Sequence, residues 1–237
     1  MNSPSSLSNA FRATDQSKRL LLATGVISLI LWYIPYAQFA LYPLRLFVTF
    51  VHEACHAVVT ILTGGRVAEI QVLQNSSGWT LSEGGIPSLI CSAGYVGTAI
   101  WGAIILQVSK NANTGNRGLG SIGAFILAIT LLWVRPWGEG LFGFIVGIGI
   151  AMLLFGLAKT LDKKAAAFAL SFLSVQLSLN ALLDLRTLLF LTTQTNIKND
   201  AVFMVNYAGM APWFWSFLWA GIAAITLFRS VVTYWKK

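Results

Sequence analysis

Residues 50–58 read Phe50-Val51-His52-Glu53-Ala54-Cys55-His56-Ala57-Val58, a His-Glu-x-x-His pattern inside an apolar run. His52 and His56, the only histidines in the chain, are four residues apart, so a helix places both imidazoles on one face, within reach of one metal ion. Glu53 then lies beside the open coordination position, where a carboxylate can take a proton from an attacking water molecule. The stretch therefore predicts a zinc site with Glu53 as general base, rather than two histidines that happen to line a packed helix.

The composition predicts a membrane protein. Hydrophobic residues make up 56% of the 237 residues and charged residues only 10%, with a mean hydropathy of +0.71, whereas soluble domains carry about 25% charged residues. The apolar residues form repeated long runs, which predict several transmembrane helices rather than one anchor. The net charge of +8 does not indicate a nucleic-acid partner, because the basic residues are scattered at the ends of the runs. Cys55 and Cys91 lie inside apolar runs and predict small core residues rather than a disulfide.

The apolar runs predict an all-α, polytopic fold of six or seven transmembrane helices. Residues 1–18 are polar and predict a disordered tail, and residues 19–237 are expected to form a single membrane-embedded domain. No signal-peptidase-like site closes the first run, so a retained span is expected there. Pro43 is expected to separate the first two helices, and residues 110–120 to form a polar loop. The predicted spans are 20–41, 44–62, 86–108, 121–134, 141–158, 165–191 and 211–235.

The pattern changes directly after the histidine helix. Gly64-Gly65 predicts the end of that helix. Residues 66–73 and 79–82 favour strands and residues 75–78 a turn, which together predict a short β-hairpin. At membrane depth the edges of such a hairpin need protein partners or a water-lined cavity.

The positive charges leave the membrane orientation open. In a seven-span arrangement the basic residues of two connections and of the C-terminus fall on one side, and those of the N-terminal segment fall on the other, against the positive-inside rule. The first group is Lys110, Arg117, Lys159, Lys163, Lys164, Lys236 and Lys237, and the second is Arg12, Lys18 and Arg19.

A catalytic zinc site needs a third protein ligand, and the chain has no third histidine. Gln176, Asn180 and Asp184 follow at intervals of four and form a polar stripe on an apolar helix. A carboxylate at membrane depth is costly, and a metal ion would compensate it, so Asp184 is the preferred third ligand. The alternative for Asp184 is a pair with Arg186 or solvent. The other carboxylates lie in connections or beside the hairpin, and Asp200 is the strongest competitor among them.

The ordered set of these motifs resembles the site-2 protease family of intramembrane zinc metalloproteases, most of all a compact bacterial-type branch without added domains. The resemblance covers about residues 40–205 and rests on His-Glu-Ala-Cys-His, Gly64-Gly65-Arg66-Val67, Ala93-Gly94-Tyr95-Val96-Gly97 and the Asn180…Asp184 element. It implies His52, His56 and Asp184 as zinc ligands, Glu53 as general base and Asn180 as a supporting residue.

Three functions fit these features. The first is hydrolysis of peptide bonds in membrane-spanning or membrane-associated substrates, with the lipid bilayer and a transmembrane protein as partners and the hairpin as a strand-binding edge. The second is a transporter or metal-handling protein whose polar stripes line a pathway. Metal transport does not require a carboxylate next to two histidine ligands, so Glu53 favours the protease. The third is an inactive scaffold of the same fold, which only an activity measurement can exclude. Each predicts a multi-pass protein of the plasma membrane or an equivalent membrane.

Overall fold

The fold is seen in a computed structural model that describes residues 18–19, 22–28, 30–31, 34, 36–194 and 199–236, and within these ranges it leaves the side chains of residues 37–38 and 181–194 undescribed. Of the expected N-terminal tail, residues 1–17 lie outside the described residues. A helical segment at 22–28 precedes the named elements. These are α1 (Ala37–Leu62), β1 (Arg66–Val72), β2 (Gly78–Glu83), α2 (Pro87–Ser109), α3 (Gly115–Trp133), α4 (Gly140–Thr160), α5 (Lys163–Gln194), α6 (Asp200–Ala208) and α7 (Pro212–Lys236).

The fold class is that of a polytopic helical membrane protein, as the sequence predicts. In the described part of the chain, five helices are long and apolar enough to cross a membrane. They are Phe39–Leu62, Pro87–Ser109, Ala112–Trp133, Gly140–Thr160 and Pro212–Lys236. The expected spans at 20–41 and 165–191 include residues whose structure or side chains are not described, so five is a count of the described part alone.

Two helix boundaries differ from the sequence prediction. Helix α1 runs through Pro43 without a break, although the missing N–H removes one hydrogen bond near the beginning of the helix. Leu41, Leu46 and Phe47 on either side are buried, and this packing holds the chain helical across the proline. The expected polar loop at 110–120 is also shorter, because residues 112–114 form a 3-10 turn and α3 begins at Gly115.

The second difference has its cause in helix packing. A Cβ at Gly115 would come within 2.7 Å of the backbone nitrogen of Ala167, and one at Gly118 within 2.6 Å of the Leu170 side chain. The glycines of this segment therefore allow α3 to lie close against α5. The predicted loop is wrong for residues 115–120, which are helical.

The hairpin is confirmed. β1 and β2 pair antiparallel, with Arg66 opposite Glu83 and Val72 opposite Gly78, and the register shifts between Val67 and Glu69. Ile70 also forms a parallel bridge with Val134, which follows α3. Arg135 Nη2 donates a hydrogen bond to the Ala68 carbonyl at 2.8 Å. This bond and the bridge to Val134 give partners to some of the backbone groups along the outer edge of β1, as a sheet edge at membrane depth requires.

The hairpin lies along α1. The Tyr42 hydroxyl donates to the Gln74 carbonyl (2.6 Å) and the Thr49 hydroxyl to the Ser76 carbonyl (2.7 Å), so the turn is held against the first half of the helix. The helix and the hairpin then share one core with α3 and α4. Its fully buried members include Phe50, Ala54, Ile70, Val72, Leu119 and Ile126.

Candidate metal centre

His52 and His56 lie on one face of α1, as their spacing predicts. Their ring centroids are 4.8 Å apart, and His56 is buried. The Nε2 atom of each imidazole lies 3.5 Å from the same oxygen, Oδ2 of Asp200. Three potential ligand atoms, two nitrogens and one carboxylate oxygen, thus converge on one point.

Asp200 reaches this point because α6 begins there. Asn199 caps the helix, its side chain accepting a hydrogen bond from the Val202 N–H at 3.1 Å, as asparagine often does at an N-terminus. The sequence pattern predicts a loop at Asp200 and gives no indication of α6, a helix of only 9 residues. Burial by itself would raise the pKa of the Asp200 carboxyl, but the imidazoles of His56 and His52 outweigh it and hold that pKa well below its usual range.

The three residues fit a metal ion by their chemistry. Their ligand atoms lie within 4.8 Å of one another, and two imidazoles with one carboxylate are a donor set that catalytic zinc sites use. His56 Nδ1 lies 2.6 Å from the Ile90 carbonyl oxygen, to which it can donate. That bond leaves the lone pair of Nε2 directed at the shared point, as metal-binding histidines are commonly oriented.

Gly94 of α2 gives a second test of the fit. A Cβ built on Gly94 would overlap the Nε2 atoms of both His52 and His56. The space between the two imidazoles and α2 exists only because residue 94 has no side chain. We interpret this space as the place where a metal ion would bind. From the sequence alone, Gly94 is only one residue of the Ala93–Gly97 motif, with no role of its own.

Glu53 is buried beside the histidines and is held by the hairpin. Thr80 on β2 donates its hydroxyl to Glu53 Oε2 at 2.8 Å. Strand β2 approaches closely because residue 78 is glycine, where a Cβ would come within 2.8 Å of Glu53 Oε1. The sequence predicts the hairpin but not this contact, because no local pattern connects Thr80 with a residue 27 positions earlier.

An aromatic pair borders the other side of the site. The Tyr95 ring meets His52 edge-on, with ring centroids 4.8 Å apart, and stacks on Trp219 of α7 at 5.1 Å. Trp219 is buried and donates its indole N–H to the Ser92 hydroxyl at 3.1 Å. Helix α7 thus supports the imidazole of His52 through Tyr95. The sequence pattern does not predict this contribution.

The two residues predicted on α5 stand differently. Asp184 lies in the part of α5 whose side chains are not described, so its role as third ligand stays a prediction. Asn180 is described and buried, and its side-chain amide donates to the Gln176 carbonyl of the same helix at 2.9 Å. Asn180 is not among the described residues that line the cavity at the metal centre.

That cavity has a volume of about 830 Å³. The histidines, Glu53 and Asp200 form one wall, and β2 forms another with residues 78–82. Phe203 and Tyr207 of α6 complete the lining on the side of Asp200. The space is large enough for an extended peptide segment next to the candidate ligands.

Comparison with known proteins identifies the family. Residues 21–230 match the family model described as Peptidase M50B-like. The chain belongs to this family. Neither a curated protein nor a solved structure matches the chain. The resemblance to site-2 proteases that the sequence predicts is therefore confirmed.

Membership explains several features together. M50 peptidases are zinc metalloproteases and site-2 proteases are membrane proteins, which agrees with the group formed by His52, His56 and Asp200 and with the apolar helices. The family match supports a membrane metalloprotease in general terms and names no substrate for this chain.

Proposed function

We propose that this chain is an intramembrane zinc endopeptidase that hydrolyses peptide bonds of membrane-spanning or membrane-associated proteins. One observation carries the proposal. The Nε2 atoms of His52 and His56 and Oδ2 of Asp200 meet at one point, next to a buried glutamate and at the wall of a cavity. A metal-transport function would not need that glutamate.

His52, His56 and Asp200 would hold the ion. When bound there, zinc would supply Lewis-acid chemistry, polarising a carbonyl group and making a water molecule more acidic. Glu53 accepts the proton of the attacking water on its carboxylate while Oε2 stays bonded to the Thr80 hydroxyl. Glu53 then returns the proton to the departing amine as the C–N bond breaks.

The substrate binds along β2. Strand β2 pairs on one side with β1, and among the described residues no other strand pairs with it. Its residues line the cavity, so an extended substrate segment can add to this edge with its backbone beside Glu53. A helical transmembrane segment would have to unwind locally to bind in this way.

We assign the third ligand to Asp200 and keep Asp184 as the alternative. Asp200 Oδ2 lies 3.5 Å from both Nε2 atoms. Asp184 is the alternative for two reasons. It lies on the polar stripe of α5, and the resemblance to site-2 proteases implies it as a ligand.

Zinc content and cleavage, measured side by side, test the assignments. The protein is purified without metal-affinity resin, zinc is measured by mass spectrometry, and activity is followed on a transmembrane reporter. The wild type should hold about one zinc per chain. Glu53→Gln should keep the zinc and lose cleavage, because an amide cannot accept the proton. Loss of zinc from a folded Glu53→Gln protein would instead make Glu53 a ligand.

The two aspartates are compared in the same assay. Asp200→Ala should weaken zinc binding by at least the roughly 10–100-fold that loss of a supporting contact costs, whereas Asp184→Ala should keep the zinc. Retention by Asp200→Ala with release by Asp184→Ala would show that α5 supplies the ligand. A wild-type protein that neither holds nor takes up zinc would overturn the proposed function.

A further inference from the structure

Helix α6 presents different residues on its two sides. Ala201 and Met204 are buried against α2 and α7. The opposite side carries Asp200 together with Phe203 and Tyr207, whose side chains are 40% and 58% exposed. These three residues follow one another at intervals of three and four, so they share one face of the helix. All three line the cavity of the metal centre. We call the face with Phe203 and Tyr207 the aromatic face.

The aromatic face has a fixed position relative to the metal ligands. Asn199 caps the first turn of α6 by accepting a hydrogen bond from the backbone. At the other end, Trp215 of α7 donates its indole N–H to the carbonyl of Gly209, directly after the last turn, at 2.9 Å. Because both ends are bonded and one side is packed, α6 is held as a wall of the cavity.

The spacing of the two aromatic residues matches an extended peptide. Phe203 and Tyr207 are four residues apart, which separates them by about 6.0 Å along the helix axis. In an extended chain every second side chain points to the same face, and these side chains are about 6.6 Å apart. Two alternate side chains of a substrate that lies along α6 can therefore each contact one aromatic ring. A helical substrate would have to present residues four apart instead.

The composition of the cavity indicates which substrate side chains fit there. Among the lining residues that the structure describes there is no lysine or arginine, and the only carboxylates are Glu53 and Asp200 at the metal centre. A charged substrate residue at the aromatic face would lose its hydration without gaining a partner. Large apolar side chains would instead bury their surface against the two rings.

We propose that the aromatic face of α6 determines the specificity of this site, by selecting large apolar residues at two alternate positions on one side of the scissile bond. This role rests on the proposed function, because the occupant of the cavity is an extended substrate on the free edge of β2. The position nearer the bond contacts Phe203, which is closer in the helix to Asp200 than Tyr207 is. The farther position contacts Tyr207. The substrate residue between them points away from α6, which does not select it.

Disulfide exchange in a protein that does not cleave tests the placement. Phe203→Cys and Tyr207→Cys are made separately in the full-length Glu53→Gln protein. Each is mixed with transmembrane reporter peptides that carry one cysteine, activated as a thiopyridyl disulfide, at successive positions. The position of strongest cross-linking should differ by two residues between the two variants. Val205→Cys is the matched control, because Val205 is exposed on the same helix but is not among the described residues that line the cavity.

The cross-links are read against the Glu53→Gln protein without an introduced cysteine, since Cys91 also lines the cavity. A difference of four residues between the two positions would indicate a helical substrate and overturn the inference. Cross-links at 203 and 207 that are no stronger than those at 205 would also overturn it, because the aromatic face would then not contact the substrate.

Cleavage measures the selection itself. Reporters with Phe, Leu, Ala or Lys at each of the two positions are compared by kcat/KM. The wild type should favour Phe over Ala by about tenfold at each position. Phe203→Ala should reduce this preference to within about twofold at the nearer position and leave it unchanged at the farther one, and Tyr207→Ala should do the reverse. Val205→Ala removes apolar volume from the same helix and should change neither preference.

Two further outcomes are decisive. An equal loss of kcat/KM for all reporters in Phe203→Ala would show that the ring supports the fold or contacts lipid rather than a substrate residue, and would overturn the inference. The cross-links are read without any activity. If they show the offset of two residues and the wild type cleaves no reporter, the proposed function is overturned and the binding surface stands. Cleavage without selection at alternate positions would overturn the inference and leave the proposed function standing.

Discussion

Two helices of this protein carry polar stripes at helical spacing, and the stripes do different things. On α1 the stripe contains His52 and His56 and faces Asp200 and the cavity. On α5 the described part of the stripe is Gln176 and Asn180. Gln176 Nε2 donates to the Ser28 hydroxyl at 3.1 Å, and Asn180 bonds to its own helix.

The comparison teaches that spacing predicts which residues share a face but not what that face meets. The α1 stripe meets a hairpin and a glycine that leave room for an ion and a substrate. The described α5 stripe meets the N-terminal helical segment, where an amide and a hydroxyl satisfy each other in an apolar environment. Residue chemistry separates the two, because imidazoles bind metal as neutral ligands and amides are better suited to hydrogen bonds.

The largest effect is expected at Gly94. A side chain there would fill the space between the two imidazoles, so Gly94→Ala should lower zinc affinity by more than about 100-fold, beyond the loss of a supporting contact. Zinc content and reporter cleavage measure the effect.

Gly102→Ala is the matched control on the same helix. A Cβ at Gly102 would come within 2.6 Å of the Ser178 hydroxyl on α5. This overpacking should lower the free energy of unfolding by about 1–3 kcal/mol and leave zinc at about one per chain. Normal zinc binding by Gly94→Ala would show that the ion does not occupy the space between the two imidazoles and residue 94.

An intermediate effect is expected at Thr80. The bond from its hydroxyl to the buried Glu53 carboxylate is charge-assisted and contributes about 1.5–3 kcal/mol. If only about half of this applies to the transition state, Thr80→Val should lower kcat about tenfold. Zinc content should not change, and Thr80→Ser, which keeps the hydroxyl, should restore most of the rate. Equal kcat values for the Val and Ser variants would show that the hydroxyl of residue 80 does not contribute to the reaction.

The features that depend on local spacing and composition could be predicted from the sequence. The His-Glu-x-x-His helix, the hairpin after Gly64 and the apolar helices all follow from spacing and composition. The helix through Pro43 and the beginning of α3 at Gly115 did not follow, because tertiary packing outweighed the breaking tendency of proline and glycine.

The candidate site was predictable only in part, for a related reason. His52, Glu53 and His56 are adjacent on one helix, whereas Asp200 and Thr80 come from other elements whose approach has no local signal. A capped Asn199-Asp200 pair before a short apolar run was the available signal for α6, since asparagine favours helix N-caps. The role of Gly94 could not be predicted, because a glycine that lets a neighbouring helix pack closely cannot be told from a glycine that leaves room for an ion by sequence alone.

The smallest effect is expected on the α5 stripe. Asn180→Ala removes a hydrogen bond within one helix, and Gln176→Leu removes the bond to Ser28. Each should lower the free energy of unfolding by about 1 kcal/mol. Zinc content and kcat should stay within about twofold of the wild type, because neither side chain lines the described cavity. A large loss of kcat in Asn180→Ala with zinc retained would restore the supporting role that the resemblance implies. If zinc were lost instead, α5 would have to approach the metal more closely than its described side chains do, and Asp184 would become the stronger candidate for the third ligand.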